Sequence, residues 1–269
     1  MGVINVTPDS FSDGGKSIDP MRARDIAQAM EASGADLLDI GAESTRPGAK
    51  PLGAAEELSR LVPVMRAVAP RVTIPISVDT YKASVAESAL DQGASIVNDI
   101  SAFDYDPQIG RLVAERQVPA ILMHMRGRPD DMYAHAEYSD VLEEVSSDLQ
   151  RAIDRAIALG VGRDRLIVDP GLGFAKRAEH SLAALAGLER FAALGFPLLV
   201  GPSRKSFMTA TTGRLPVTDR DWPTAAAVTA AVLGGAHIVR VHAVENMVHV
   251  VRLADALRAA LPLRSGQAG

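Results

Sequence analysis

Polar side chains follow several short apolar runs of this sequence, at the point where each run ends. Asp39, Asp79 and Asp169 end three runs, and Asn5 and Asn98 lie at the ends of two more. A carboxylate accepts two N–H bonds from an amino-amidine edge, and a carboxamide both donates and accepts. If these groups converge, they favour a polar heterocycle that carries N–H donors and ring acceptors.

A second, basic set of residues suits anionic oxygens. Arg240 and His242 are two residues apart, so in a strand both side chains leave from the same face. Lys205 ends a Ser-Arg-Lys segment that precedes them in the chain. The sequence therefore predicts a site with one end for a polar ring and another for phosphate. We interpret His237, on the opposite strand face, as structural, whereas His124 stays open between a site role and a structural one.

The carboxylates also raise the question of a metal ion. The chain has no cysteine, which excludes thiolate metal sites, disulfides and cysteine nucleophiles. It also has no closely spaced His/His/Asp set of the kind that binds zinc. A hard Mg²⁺ ion shared with substrate phosphates is compatible with the sequence, and Asn5 is a candidate ligand.

The secondary structure predicted around these residues alternates between strands and helices. We predict strands at 2–5, 36–39, 74–79, 95–99, 120–124, 166–169, 197–201 and 238–242. Amphipathic stretches predict helices at 21–33, 55–69, 82–92, 139–159, 180–194, 224–233 and 244–261. Gly-Ala pairs join helix to strand at 34–35, 93–94 and 235–236, since glycine suits the left-handed position after a helix.

About eight such units are the number of a closed (β/α)8 barrel, an α/β fold whose active site lies at the carboxyl ends of its strands. An open doubly wound sheet is the alternative. It usually shows a glycine-rich loop after the first strand, but here the first strand runs into NVTPDS. We therefore predict one TIM-barrel domain over residues 1–269.

The amino-acid composition of the chain argues against some classes of binding partner. Apolar residues make up 47% of the 269 residues, which is enough for a large core, and the net charge is −5. That charge argues against nucleic-acid binding and against binding to a membrane surface by bulk charge. No apolar run has the length of a transmembrane helix and no signal peptide is recognisable, so we expect a cytoplasmic protein.

Two long loops follow the first two predicted strands. They read NVTPDSFSDGG at 5–15 and GAESTRPGA at 41–49. Long loops at a barrel mouth often close over a ligand. Phe11, at an otherwise polar loop tip, favours a closing loop that covers a flat, apolar group.

Eight segments together resemble the dihydropteroate synthase family over essentially the whole chain. They are MGVINVTPDSFSDGG, DIGAESTRPGA, ISVDT, GASIVNDIS, LMHM, VDPGLGFAK, GPSRKSF and VRVH, in the family's order. The resemblance implies a transferase that joins 7,8-dihydropterin-6-ylmethyl diphosphate to 4-aminobenzoate. Its products are 7,8-dihydropteroate and diphosphate, and it requires Mg²⁺.

The resemblance also implies roles for individual residues. Asp79, Asn98, Asp169 and Lys205 hold the pterin ring, and Met123 lies against it. The diphosphate meets Asn5, Arg240 and His242, with Asn5 also near Mg²⁺, and Asp39 lies at the floor of both sites. The aminobenzoate pocket is formed by Phe11, Thr45, Arg46, Pro47, Phe174 and Ser206. The residues expected to act in catalysis are Asp79, Lys205, Arg240 and His242.

Further expectations follow from the same resemblance. Sulfonamides are expected to compete with 4-aminobenzoate, and the protein is expected to be a homodimer through the helices at 224–233 and 244–261. We hypothesise that diphosphate departs first and that Asp79 stabilises the resulting pterin cation. Two alternatives stay open: a pterin-binding barrel of the corrinoid methyltransferase type, and a non-catalytic pterin-binding paralogue.

Overall fold

The computed structural model describes residues 1–7 and 19–261. Within these ranges eight short strands alternate with helices. The strands are β1 Gly2–Asn5, β2 Leu38–Gly41, β3 Ile76–Asp79, β4 Ile96–Asp99, β5 Ala120–Met123, β6 Leu166–Asp169, β7 Leu199–Val200 and β8 Ile238–Val239.

The α-helices of the same ranges lie between the strands and after the last one. They are α1 Pro20–Ala32, α2 Ala54–Val68, α3 Ala83–Asp91, α4 Gln108–Arg116, α5 Val141–Ala158, α6 Ala178–Ala186, α7 Leu188–Ala192, α8 Thr209–Thr212, α9 Asp221–Leu233 and α10 Val244–Ala260. Short 3-10 helices cover Ala69–Arg71, Met132–His135, Arg163–Arg165, Ser206–Met208 and Val217–Arg220.

The strands form a closed parallel barrel. β1 to β6 pair in sequence order, and β7 pairs with β8. A parallel bridge between Val168 and Leu198 joins β6 to the start of β7, and another between Gly2 and Val241 joins the end of β8 to β1. The backbone N–H of Val3 donates to the carbonyl of Val241 at 3.1 Å. The predicted (β/α)8 barrel is therefore confirmed, and the open sheet is wrong.

Strand alternation divides the barrel interior into layers. The lower layer is apolar and consists of Met1, Leu37, Ile96, Ile121, Ile167, Leu199 and Ile238. Residues two positions further along five of these strands point the same way. These residues are Asp39, Asn98, Met123, Asp169 and Arg240. An apolar plug thus lies beneath a layer that is mainly polar, and the polar layer faces the carboxyl ends of the strands.

The intervening strand residues face outward and build the main core. Val78, Val97, Val168, Val239 and Val241 are buried in one cluster with apolar residues of the surrounding helices. The valines that flank Arg240 therefore pack on helices, which leaves Arg240 itself inside the barrel. This confirms the predicted parity of β8.

Three helices differ from the prediction: the four-residue α8 was not predicted, and in the other two cases a glycine explains the difference. The sequence reading missed α4, where Gly110 lowers the helix propensity of a short segment. A Cβ at Gly110 would lie 2.5 Å from Leu159 Cδ1, so close packing requires the glycine. The single helix predicted at 180–194 divides at Gly187, where a Cβ would lie 2.5 Å from Leu142 Cδ1. The other predicted helices agree to within about three residues.

No helix in the described ranges combines the length and the apolar character that a membrane span requires.

Truncation of the apolar plug should destabilise the barrel far more than the same change on its surface. Ile121 is fully buried, whereas Ile157, on α5, is 40% exposed. We expect Ile121→Ala to lower the free energy of unfolding by about 2–5 kcal/mol because it leaves a cavity. The matched Ile157→Ala change should cost roughly 1 kcal/mol or less. Chemical denaturation measures both, and equal losses would contradict the assignment of Ile121 to the plug.

Candidate active site

Arg240 lies at the centre of the polar layer and joins two carboxylates from other strands. Its Nε donates to Asp39 Oδ2 at 2.6 Å, and its Nη2 donates to Asp79 Oδ2 at 2.9 Å. Asn98 Nδ2 also donates to Asp39 Oδ2, at 3.2 Å. The Asp39 side chain is fully buried, and those of Asp79 and Arg240 are 12% and 22% exposed. The structure thus brings four predicted site residues into one hydrogen-bonded group.

Two buried oxygen atoms of this region have no hydrogen-bond partner among the described residues. They are Asp39 Oδ1 and Ser77 Oγ. Ser77 shares the inward face of β3 with Asp79, two residues earlier, and the sequence reading missed it. A small polar residue at an inward position of an otherwise apolar strand is the signal that could have found it. Both atoms remain able to bond a ligand or a water molecule.

Asp169 and Lys205 occupy another side of the mouth. Asp169 Oδ1 accepts the backbone N–H of Gly171 at 2.7 Å. Lys205 Nζ donates to the carbonyl of Leu172 and lies 4.4 Å from the centre of the Phe174 ring. Burial lowers the pKa of Lys205 to about 8, and the nearby Asp169 charge opposes that change. The Lys205 ammonium group therefore places a cation next to the aromatic ring of Phe174.

The low pKa of His242 favours an uncharged imidazole at neutral pH. Burial, reinforced by the charge of Arg240, lowers its pKa to about 4. Its backbone N–H donates to Ser203 Oγ at 3.2 Å, and its Nδ1 lies 3.0 Å from the same oxygen. Since Oγ accepts the backbone N–H, its own proton is best placed to bond Nδ1. The proton of the ring then lies on Nε2, where it can be donated to an anionic oxygen.

The pKa of Asp79, in the group around Arg240, is raised from its ordinary value. Burial raises its pKa to about 7, and the adjacent Asp39 charge adds to this, while Arg240 opposes it. For Asp169, too, burial raises the pKa, against the opposing charge of Lys205. Carboxylates with raised pKa values next to fixed cations are typical of functional sites.

The loop after β2 carries three of the residues predicted for the aminobenzoate pocket. Thr45 is half-buried, and Arg46 and Pro47 are exposed. The charge of Arg46 contributes to the low pKa of His242, which indicates that Arg46 lies near the same mouth. The N–H of Gly48 donates to the carbonyl of Pro129 at 2.9 Å, which ties the loop tip to the segment after β5.

The remaining predicted site residues lie around this mouth or outside the described part of the chain. Met123 is buried in a small cluster against which half-buried Phe174 packs. Ser206 is exposed and begins a 3-10 helix directly after Lys205. Phe11 lies outside the described residues, so the closing loop stays a prediction.

Asn5 ends β1 and is half-buried. It pairs in register with Gly41, the last residue of β2. A Cβ at Gly41 would lie 3.0 Å from Asp79 Cβ, so the glycine lets the Asp79 side chain pass close to β2. Asn5 therefore presents an amide group at the same end of the barrel as Asp79.

His124 and His237, two histidines that the sequence reading singled out, make structural contacts. Both ring nitrogens of buried His124 are engaged: Nε2 lies 3.0 Å from Asp148 Oδ2, and Nδ1 lies 2.8 Å from Lys176 Nζ. The structure thus favours the structural alternative for His124. His237 Nδ1 accepts the N–H of Leu198 at 3.1 Å, as its predicted structural role requires. Buried Lys176 was missed, although it ends the VDPGLGFAK segment.

A cavity of about 640 Å³ lies beside this mouth, between the segment after β4 and helix α5. Its lining includes Met123, Arg126, Asp148 and Arg151. Asp148 already accepts hydrogen bonds from both arginines. The charged groups of the cavity are thus largely paired with one another, so the barrel mouth remains the better candidate for the active site.

Comparison with known proteins supports the interpretation of the barrel mouth as the active site. A family model described as pterin binding enzyme matches residues 1–242. The dihydropteroate synthase of Synechocystis sp. is 45% identical over 257 residues, which cover 96% of this chain and 89% of that protein. The chain belongs to the dihydropteroate synthase family. The predicted family is thereby confirmed, and so is the predicted transferase function in folate biosynthesis.

Solved structures of the dihydropteroate synthase family share the fold closely. The Yersinia pestis enzyme in complex with a sulfonamide drug has a TM-score of 0.91 and 40% identity, covering 96% of this chain and 94% of that chain. The Xanthomonas albilineans enzyme with 4-aminobenzoic acid has a TM-score of 0.90 and 40% identity, covering 97% and 93%. These relatives favour the synthase over the corrinoid methyltransferase and over the non-catalytic paralogue.

The electrostatic environment of Asp79 predicts an unusual titration. In the ligand-free protein its carboxyl carbon should titrate in NMR with an apparent pKa of about 7. Because the Arg240 guanidinium favours the ionised form, Arg240→Met should raise this pKa further. The carboxyl-carbon signal that is absent from the spectrum of Asp79→Asn is the signal of Asp79. A pKa near that of an ordinary aspartate in both proteins would contradict the buried arrangement.

Proposed function

We propose that this chain joins 7,8-dihydropterin-6-ylmethyl diphosphate to 4-aminobenzoate and releases 7,8-dihydropteroate and diphosphate. The observation that carries the proposal is the contact of Arg240 with both Asp39 and Asp79 in the buried polar layer. The cation that suits the diphosphate group, Arg240, is thus in direct contact with carboxylates that suit the pterin ring. The Xanthomonas albilineans relative, solved with 4-aminobenzoic acid, supports the second substrate.

The two ends of the mouth suit the two parts of the first substrate. Carboxylate and amide groups of Asp79, Asn98 and Asp169 can accept and donate hydrogen bonds along the edge of an aminopterin ring. Lys205 can donate to a ring acceptor, and Met123 offers an apolar surface to the ring face. These are the roles that we propose for the five residues.

The diphosphate end is formed by charge and by hydrogen-bond donors. Arg240 supplies a permanent positive charge, because guanidinium groups stay protonated in proteins. With Nδ1 bonded to Ser203, His242 can donate its Nε2–H to an anionic oxygen. Both groups stabilise the negative charge that develops on a departing diphosphate.

The proposed reaction breaks the bond between the pterin methylene carbon and the diphosphate oxygen. The electron pair of that bond leaves with diphosphate, and the carbon is left as a cation conjugated with the pterin ring. Ionised Asp79 stabilises this cation, which is why a carboxylate is held next to the ring in spite of its burial. The neutral arylamine nitrogen then forms the new C–N bond, and its proton passes to water or to diphosphate.

We propose Mg²⁺ as the metal of this reaction, with Asn5 as its ligand from the protein. Mg²⁺ prefers oxygen donors and keeps several water and phosphate ligands, so few protein ligands suffice. The amide oxygen of Asn5 and the unpartnered Oδ1 of Asp39, on the adjacent strand, fit this requirement. In the described ranges no group of three or more His, Cys, Asp and Glu side chains could form a metal cage. When bound, Mg²⁺ would neutralise part of the diphosphate charge.

Mixing the two substrates with Mg²⁺ tests the reaction and the role of Asp79 together. The wild-type protein should release diphosphate in step with formation of dihydropteroate. Asp79→Ala should lower kcat by about 100-fold or more, since it removes charge stabilisation from the transition state. Binding of diphosphate alone, measured by calorimetry, should weaken much less. Equal losses in kcat and in diphosphate affinity would contradict the cation role.

We propose that Thr45, Arg46, Pro47, Phe174 and Ser206, together with Phe11, form the pocket for 4-aminobenzoate. The low pKa of His242, to which Arg46 contributes, supports a position of the loop near the diphosphate end. Arg46 is the cation of this set and suits the carboxylate of the substrate.

A sulfonamide that mimics 4-aminobenzoate should therefore inhibit competitively with it. The apparent KM for 4-aminobenzoate should rise with inhibitor concentration while kcat stays constant, and Arg46→Gln should weaken 4-aminobenzoate binding. Steady-state kinetics at fixed pterin substrate measure both effects. Inhibition that 4-aminobenzoate cannot overcome would place the sulfonamide elsewhere.

We propose that the protein is a homodimer through α9 and α10. Their surface exposes large apolar side chains, among them Leu253 at 64% and Leu257 at 48%. These two residues are four apart and so lie on one face of α10. Exposed apolar patches of this kind mark association surfaces.

A cytoplasmic location stays a prediction from the sequence.

Charge placed on this face should separate the subunits. Leu253→Glu should shift the sedimentation coefficient from that of a dimer to that of a monomer, because the carboxylate would be buried in the apolar contact. Met21→Glu on α1, at a residue 51% exposed, serves as the matched control. A wild-type protein that sediments as a monomer would contradict the proposal.

A further inference from the structure

The segment that carries Thr45, Arg46 and Pro47 contains neither helix nor strand. It runs over residues 42–53, between β2 and α2, and we call it the arylamine loop. The backbone of such a segment can hold a binding geometry only if other contacts fix it. One attachment is the bond from the N–H of Gly48 to the carbonyl of Pro129, at the tip.

The second attachment is Glu43, near the start of the arylamine loop. Its side chain is only 5% exposed. Glu43 Oε1 accepts the N–H of Leu52 at 3.0 Å, which draws the far end of the loop to its beginning. The same oxygen accepts the hydroxyl of Tyr81 at 2.5 Å, which connects the loop to the segment after β3. Glu43 thus joins both ends of the loop to the barrel.

Lys82 holds this glutamate in place. Its Nζ donates to Glu43 Oε2 and, at 2.6 Å, to Glu57 Oε2 in the first turn of α2. The Glu57 side chain is 1% exposed, so burial raises its pKa while Lys82 opposes that change. Lys82 Nζ also lies 4.2 Å from the centre of the Tyr81 ring. One ammonium group is therefore shared by two buried carboxylates, which would otherwise repel each other.

We infer that Lys82 is a positioning residue for the arylamine substrate, because it fixes the arylamine loop through Glu43. The inference rests on the proposed role of Thr45, Arg46 and Pro47. Lys82 acts on the rim that receives 4-aminobenzoate. Among the described residues no hydrogen bond or ion pair joins its ammonium group to Asp79 or Arg240, although the charge of its partner Glu57 adds to the raised pKa of Asp79. A change at Lys82 should therefore weaken binding of the second substrate selectively.

The test measures steady-state kinetics of the full-length protein with each substrate varied in turn. Lys82→Met should raise the KM for 4-aminobenzoate by about fivefold or more, since small displacements of a binding group are costly. The KM for the pterin diphosphate and kcat should stay within about twofold of wild type. The inhibition constant of a competitive sulfonamide should rise in parallel with the KM for 4-aminobenzoate.

A double variant keeps the test valid if Lys82→Met alone does not fold. Lys82→Met with Glu57→Gln removes one cation and one anion, so the net charge of the buried cluster is unchanged. It still lacks the group that holds Glu43, and the same rise in KM for 4-aminobenzoate is expected. Comparison with Glu57→Gln alone, which retains the Lys82–Glu43 pair, isolates the effect of the anchor.

A stability control separates positioning from general loosening of α2. Val64 is fully buried on the same helix. Val64→Ala should lower the melting temperature and leave the KM for 4-aminobenzoate unchanged. A rise in KM for Val64→Ala equal to that of the double variant would overturn the inference.

Failure of the inference can be told from failure of the proposed pocket. If Arg46→Gln raises the KM for 4-aminobenzoate and the double variant does not, Lys82 is no positioning residue but the pocket stands. If Arg46→Gln also leaves this KM unchanged, the arylamine loop does not receive the substrate, and both proposals fall.

Discussion

The site depends on one partly buried guanidinium group held between two carboxylates. Arg240 reaches from β8 to Asp39 on β2 and to Asp79 on β3, so a single side chain links three strands of the barrel. Removal of either partner of such a pair leaves an uncompensated buried charge, which is strongly destabilising. The contact therefore sets the geometry of the polar layer as well as its charge. The apolar plug beneath it makes the arrangement possible, because it excludes water from below.

Carboxylates outnumber cations in the mouth. Asp39, Asp79 and Asp169 face two cations, Arg240 and Lys205, within a buried layer. Burial raises the pKa of Asp79 and of Asp169, whereas it lowers the pKa of Lys205 and of His242. Each shift records the cost of holding a charge away from water. A ligand that carries an amino-amidine edge at one end and anionic oxygens at the other relieves this cost.

Two lysines outside the mouth, the buried Lys176 and the partly buried Lys82, support the segments that surround it. Lys82 is shared by Glu43 and Glu57, and Lys176 bonds His124 and the carbonyl of Phe174. In both cases an ammonium group with several donors satisfies polar atoms that loops bring into the interior. The strands thus fix the groups proposed for the pterin end, while these lysines fix the irregular segments around them.

The barrel, its strand parity and the polar end of most strands could be predicted from the amino-acid sequence, because alternation and helix periodicity are local properties. The family resemblance also identified the groups that meet at the mouth. Helix α4 and the division at Gly187 escaped prediction, since glycines required by packing weaken the local pattern. The folded chain was needed to show that Arg240 pairs with Asp39 and Asp79, that His124 is structural, and that Lys82 bonds Glu43. Those contacts join residues distant in the chain, and their geometry follows from the closure of the barrel and from burial, which no local pattern encodes.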